Sequence, residues 1–253
     1  MSWELIRSVQ KMTDMRLILP FGLNVQIGDI ISVNKRDGSF QIEGSTPTIL
    51  GLTTGSIRPP QDGVHLFHQS GNGTSIRFRA EGEASTLFDT LPKASAGFDI
   101  SFASANDWLL AVVGRKVWQM ELVAYFRNAV LWSHHYGVWQ PGWALVTGIG
   151  VTERMTLLAS NGGNTSLSLG VSGQITAGTP MEAQLTAGIE VLAANSNFTQ
   201  RISMSPQVAF CSAIKVTEGF LRDPRVDSLS PLPEKIAASA EAGEFWTDAF
   251  AGV

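Results

Sequence analysis

From Thr165 to Ala193 the chain alternates apolar and polar residues almost without a break, and this pattern sets the tightest bound on its fold. Leu167, Leu169, Val171, Gly173, Ile175 and Ala177 occupy one set of alternate positions, continued by Met181, Ala183, Leu185, Ala187, Ile189, Val191 and Ala193. Between them fall Ser166, Ser168, Gly170, Ser172, Gln174 and Thr176, then Glu182, Gln184, Thr186, Gly188 and Glu190, with Leu192 as the exception. A β-strand sends successive side chains to opposite faces, so this spacing predicts two antiparallel arms, each with an apolar and a polar side. Gly178-Thr179-Pro180 supplies the reversal.

The polar side of the first arm is unusual in having no charge. Between Arg154 and Glu182 lie 27 residues without a single formal charge, and the formal charges of residues 128–200 are Arg154, Glu153, Glu182 and Glu190 alone. The exposed face of a soluble sheet ordinarily carries Lys, Glu or Arg, partly to deter edge pairing. A strand that crosses lipid beside a water-filled lumen needs about 9–11 residues, apolar outward and polar inward. Each arm is long enough. Two readings stand at this point: an ordinary amphipathic hairpin on a core, and a hairpin able to enter a bilayer. A membrane-spanning helix is not among them, because Gly162-Gly163, Pro180 and the many Ser, Thr, Asn and Gln residues break any apolar run.

Elsewhere the pattern predicts an α+β chain built on a twisted, mostly antiparallel sheet. Trp3, Ile6, Val9 and Met12 recur at helical spacing, with Arg7 and Lys11 off that stripe. Strands follow from Leu17 to Val33, and Asp37-Gly38 predicts a two-residue hairpin turn with Phe40 and Ile42 on the return. Thr46 to Gly63 reads as loop. A second β block starts near Val64, with Ile76, Phe78 and Ala80 alternating with Arg77, Arg79 and Glu81, and Phe98, Ile100 and Phe102 alternating with Asp99 and Ser101. That gives a first hairpin at about 74–104. Residues 116–132 have a helical apolar face, strands resume at Ala144 and run to about Val216, and Pro224, Pro231 and Pro233 mark a linker before a helical segment at Glu234–Phe250.

No constellation for catalysis or metal binding emerges, so no enzyme, cofactor or metal is expected. His65-x-x-His68 and His134-His135 are the only histidines and lack further ligands at motif spacing. There is no nucleophile elbow, P-loop or complete dinucleotide fingerprint. Cys211 sits in a strand-like run and reads as a buried small residue. As the single cysteine it fits a reducing compartment, no secretory signal opens the chain, and 18 basic against 22 acidic residues argue against a nucleic-acid partner.

The run Ala144-Leu-Val-Thr-Gly-Ile-Gly-Val-Thr-Glu-Arg-Met-Thr-Leu157 resembles the strand entering the second membrane hairpin of gasdermin pore-forming domains. Thr199-Gln-Arg-Ile-Ser-Met-Ser-Pro-Gln-Val-Ala-Phe210 is similar to the strand that returns from it, ending in a Pro, a short turn and Ala-Phe. The order of elements is also similar: an amphipathic helix, a first hairpin, a helix, then the second hairpin. The resemblance covers most of residues 1–218. It implies a fold of that type, and a chain that is cytoplasmic while soluble, then assembles on the inner face of the plasma membrane into a large β-barrel pore that causes cell death in innate immunity. The partners implied are acidic phospholipid and further copies of the chain or a homologous chain. Under that resemblance Arg7, Lys11, Arg77 and Arg79 contact lipid headgroups, the alternative for each being an ordinary solvated charge. Leu167, Leu169, Val171, Ile175, Leu185, Ile189 and Val191 then form the lipid face of the second hairpin.

The chain departs from the animal members in lacking a large C-terminal inhibitory domain, and from many bacterial members in having no cysteine before Cys211, which leans towards the compact fungal regulator-of-cell-death type. The expected division is a pore-forming domain at 1–222 and a linker with a helical tail at 223–253. Residues 226–253 hold Lys235 against Asp227, Glu234, Glu241, Glu244 and Asp248, the whole net charge of −4. An acidic tail with Ile236, Phe245, Trp246 and Phe250 suits a cover over a lipid-binding surface, and equally a helix that merely packs. The competing overall reading is a soluble β-rich binding or structural module.

Overall fold

In the computed structural model the described residues are 3–60, 63–71, 73–88, 96–171, 189–195, 198–219 and 222–228. In chain order they form α1 (Trp3–Thr13), β1 (Arg16–Leu17), β2 (Asp29–Val33), β3 (Phe40–Ser45), a single π-helical turn (Thr46–Leu50), β4 (Ile57–Arg58), β5 (Val64–Gln69), β6 (Thr74–Arg79), β7 (Gly97–Phe102), β8 (Trp108–Met120), α2 (Val123–His135), β9 (Trp143–Thr152), β10 (Arg154–Ser160), β11 (Thr165–Val171), β12 (Ile189–Ala194), β13 (Phe198–Ser203), β14 (Gln207–Gly219) and β15 (Arg222–Ser228). The strand pairs β1–β14, β2–β3, β2–β9, β4–β8, β5–β8, β6–β7, β7–β11, β8–β10, β10–β13, β11–β12 and β14–β15 are antiparallel. This is the α+β class that the alternation predicts. The candidate sites at Ile175 and Leu185, the reversal at 178–180 and the tail from 229 onward lie outside the described residues.

The chain divides into two compact units. The first comprises residues 1–8, 62–116 and 151–207. Within it β5, β8, β10 and β13 make one sheet in that order, and β6, β7, β11 and β12 make the other. The two sheets share one core. Phe98, Ile100 and Phe102 of β7 and Leu167, Leu169 and Val171 of β11 meet Leu109 and Ala111 of β8 and Leu158 of β10. Each of these strands places every second side chain inward, which is the same alternation that the sequence displays.

The second unit comprises residues 9–61, 117–150 and 208–253. Here β2 pairs with both β3 and β9, β1 pairs with β14, and β15 continues from β14. Neighbouring residues feed opposite faces. Ile30, Leu145 and Ile214 pack beneath Phe126 and Val130 of α2, whereas Ile31, Ala144, Val146 and Ala213 pack with Ile18, Val25 and Phe40. Cys211 lies in this second layer, fully buried, with its thiol pushed up to about 12 by burial. Arg16, opposite Cys211 in the ladder, stacks its guanidinium 5.2 Å from the Phe40 ring centre.

Several local expectations change. In α1 the buried positions are Ile6, Val9, Gln10 and Thr13, while Met12 is 51% exposed. The burial stripe therefore follows the i, i+3, i+4, i+7 rule with two polar members, and the Thr13 hydroxyl returns its hydrogen to the Val9 carbonyl at 2.8 Å. Residues 116–120 finish β8, and the helix starts only at Val123, because Ile57 and Arg58 pair with Met120 and Gln119 and hold them extended. The connection between β2 and β3 spans six residues instead of two: Val33 faces Phe40, and the Asp37 carboxylate accepts bonds from the Ser39 amide and hydroxyl. Residues 223–228, which the proline spacing assigns to a linker, belong to β15, which pairs with β14, and the ladder is irregular at Thr217/Gly219 opposite the segment holding Pro224, which has no amide hydrogen to donate.

The contrast between core and surface methionine or leucine is measurable. Leu169→Ala is expected to lower the free energy of unfolding in urea by about 2–5 kcal/mol, and Met12→Ala to leave it within about 0.5 kcal/mol.

Candidate functional site

The two hairpins singled out by alternation are both present, and the structure brings them together. β6 and β7 are the first, β11 and β12 the second, and β7 pairs with β11 so that they form one four-stranded sheet. Its apolar side is the one predicted. Leu167 and Leu169 are completely buried, Val171 is nearly so, and Val191 is half-buried against the same core. Ile189 faces Val171 across the ladder.

The polar side differs from the expectation of an uncharged wet surface. Ser168 and Asp99, in the two central strands, are buried, and the side chain of Leu192 lies over Gly170. The exception in the alternation thus covers an even position that has no side chain of its own. The segment after β6 supplies the rest of the cover: Ser85 donates to Asp99 at 3.0 and 2.9 Å, and the Thr86 amide and hydroxyl donate at 2.9 and 3.3 Å. Ser168 reaches across from the second hairpin and donates to the same carboxylate at 2.9 Å. Ser85 in turn accepts from the Leu87 and Phe88 amides, which fixes its hydroxyl hydrogen towards Asp99.

Arg79 sits beside this carboxylate, 3.8 Å away, and only 1% of it is exposed. It is therefore not a surface cation in this form, contrary to the expected headgroup role. Gly97 explains the crowding. It lies opposite both Arg79 and Gly170, and a Cβ there would collide with the Leu169 carbonyl and come within 2.9 Å of the Arg79 guanidinium. Arg7, Lys11 and Arg77 are exposed. Arg7 and Lys11, four residues apart, share one face of α1.

The histidines of the pair at 134–135 occupy the last turn of α2, where a cation is favourable against the helix dipole. The outward stripe of that helix was missed by pattern reading. Tyr125, Trp132 and Tyr136 are all more than half exposed, and the Trp132 and Tyr136 rings lie 5.2 Å apart. Their spacing of seven and four residues was legible, but tryptophan alone does not say which side of a helix faces water. Among the described residues no three His, Cys, Asp or Glu side chains converge as a metal site, and no helix is long and apolar enough to cross a membrane, which says nothing of strands.

No family model matches the chain, and no curated protein is similar to it. Among solved structures it is similar to a bacterial gasdermin from Bradyrhizobium tropiciagri, with 14% identity and a TM-score of 0.34 over 89% of this chain and 90% of that one. A likeness at this level transfers neither activity nor partner.

Asp99 gives the network a pH signature. Burial pushes its carboxyl up, but the Thr86 amide, the Ser168 and Ser85 hydroxyls and the Arg79 charge outweigh that and hold it below the ordinary value. A carboxyl depressed in the folded state contributes stability that is fully present above the unfolded pKa of about 3.9 and is lost as pH falls through the folded value. Thermal melts are expected to show extra destabilisation below about pH 4 that vanishes in Asp99→Asn. Asp99→Ala, which strands a buried guanidinium, is expected to cost about 3–5 kcal/mol in urea unfolding.

Proposed function

We propose that this chain is a membrane-permeabilising, gasdermin-like pore-forming protein that assembles on acidic phospholipid and inserts its two ribbons as β-strands. One observation carries the reading: each hairpin is the outer half of a longer ribbon that is folded back on itself. In the first ribbon β5 pairs with β8 up to Gln69–Leu109, and β6 pairs with β7 from Thr74–Phe102 onward. In the second, β10 pairs with β13 up to Ser160–Phe198, and β11 pairs with β12 from Leu167–Ala194 onward. The two halves of each ribbon thus lie in opposite sheets and close on each other across the shared core.

Straightening would convert that core surface into a continuous apolar face. Residues 64–79 form one arm of 16 residues and residues 154–171 another of 18. At about 3.3 Å per residue either exceeds the hydrocarbon thickness of a bilayer. Leu167, Leu169, Val171 and Val191 would exchange the protein core for lipid, Ile175, Leu185 and Ile189 would join them on the lipid face by the alternation, and Ser166, Ser168 and Gln174 would face the lumen. Arg7, Lys11 and Arg77, which are solvent-exposed, would meet anionic headgroups, and Arg79 would join them only after the Asp99 network opens. Release of the tail after Ser228 is one route to activation, and a homologous partner chain is another.

A second reading is a β-rich binding or structural module whose ribbons never unfold. It draws on the burial of β7 and β11 on both sides and on the Arg79–Asp99 contact, both of which oppose opening. Dye-loaded vesicles of phosphatidylcholine and phosphatidylserine separate the two. The pore reading expects leakage from the whole chain or from one trimmed after Ser228, and silence from both forms, with or without a homologous chain, would leave the module reading. Val191→Lys is expected to melt within a few degrees of the parent yet to permeabilise at least tenfold less, because a basic residue facing mid-bilayer lipid costs about 2–4 kcal/mol. Undiminished leakage from the folded variant would refute the assigned lipid face.

A further inference from the structure

The crease in the two ribbons is a single object, and the register shows it. Between the ribbons, β8 and β10 pair from Val113–Arg154 to Trp108–Ala159, and β7 and β11 pair from Phe102–Thr165 to Gly97–Gly170. From Trp108–Ala159 to Phe102–Thr165 both strands advance by six residues, so this central ladder crosses the crease without a slip. The outer ladders do slip. Five residues of one arm answer seven of the other between Gln69–Leu109 and Thr74–Phe102, and seven answer four between Ser160–Phe198 and Leu167–Ala194.

Bonds at the crease run between ribbons as well as within them. The Asn106 amide donates to the Ser160 carbonyl at 2.9 Å, the Ser160 amide to the Asp107 carbonyl at 2.8 Å, and the Asn164 amide to the Ala103 carbonyl at 3.2 Å. The Asp107 carboxylate accepts from the Ser70 hydroxyl at 3.0 Å and the Ser104 amide at 2.8 Å, while Ser70 accepts from the Trp108 amide at 2.8 Å. A Cβ on Gly73 would collide with that carboxylate. The bend is strained on both ribbons: Asn106 and Asn164 have φ of 69° and 53°, two of the three non-glycine residues in the left-handed region among those described. Extended backbone would relieve both.

We propose that Asp107 yokes the two creases, its carboxylate holding the first through Ser70 and Ser104 and its main-chain carbonyl taking the Ser160 amide of the second, so that both ribbons straighten in one step with the central ladder kept in its present register. The inference rests on the pore reading for its biological use, but the yoke itself is a property of the free protein. If each ribbon opened alone, the inter-ribbon bonds at Ser160 and Asn164 would break and the slip-free register would have no consequence.

Two measurements on the full chain test it. In hydrogen exchange without membranes, Asp107→Ala is expected to speed exchange about tenfold in β6–β7 and in β11–β12 alike, the size of effect that loss of one or two charge-assisted bonds gives. Asp107→Asn, which retains an acceptor oxygen, is expected to show a smaller change in both. Acceleration confined to β6–β7 in either variant overturns the yoke. In the second measurement, Ser101→Cys and Ser166→Cys, a directly opposed pair of the central ladder, are joined by a disulfide in a Cys211→Ser background. The oxidised chain is expected to permeabilise vesicles within about twofold of its reduced form, since a register that never changes tolerates a staple. Leakage that appears only after reduction overturns the proposal. Joint exchange in both ribbons with no leakage from any form supports the yoke and removes the pore reading alone.

Discussion

Every feature of the first unit depends on the burial of the apolar side of β7 and β11 against β8 and β10. Phe98, Ile100, Phe102, Leu167 and Leu169 are almost wholly removed from water, and at about 25 cal/mol per Å² of apolar surface such side chains contribute about 1.5–3 kcal/mol each. That contact can exist only if the ribbons are bent, because the residues that meet belong to opposite ends of the same arms. The core therefore holds the creases shut, and the left-handed asparagines and the slipped outer ladders persist because the packing compensates for them.

The polar side adds the selectivity that the apolar side lacks. Asp99 collects donors from Ser85, Thr86 and Ser168, one of them from the other hairpin, and sits beside a guanidinium that water scarcely reaches. A buried ion pair with few additional bonds to its cation is a weak source of net stability but a strong penalty on any arrangement that separates it. The network therefore penalises separation of the two hairpins, and it sits where they and the connecting segment meet.

Period-two alternation is a local property, since each residue's face is set by the backbone alone. The predicted arms at 74–104 and 165–193 accordingly lie where β6, β7, β11 and β12 run, and the lipid-face candidates among the described residues share one side. Helical spacing was less reliable. Met12 continues the stripe of α1 on paper but faces solvent, because Gln10 and Thr13 find partners within the protein. Residues 116–120 have a helical periodicity that pairing with Ile57 and Arg58 overrides. Arg77 and Arg79 look alike in sequence, alternating on one side of one strand, yet Arg77, opposite Asp99 in the ladder, is exposed, whereas Arg79, opposite Gly97 and 3.8 Å from the Asp99 carboxylate, is buried.

What the sequence determined by itself is the existence of two amphipathic ribbons, the second with an arm whose polar side has no charge, because strand geometry turns a two-residue period into two faces with no reference to the rest of the chain. Only the tertiary structure decided that the ribbons are neighbours in one sheet, that they fold across a common crease, and that a serine and an aspartate from different hairpins meet beneath the surface. These follow from inter-ribbon register and from which side chains approach across more than sixty residues of chain. No periodicity within either ribbon encodes that pairing.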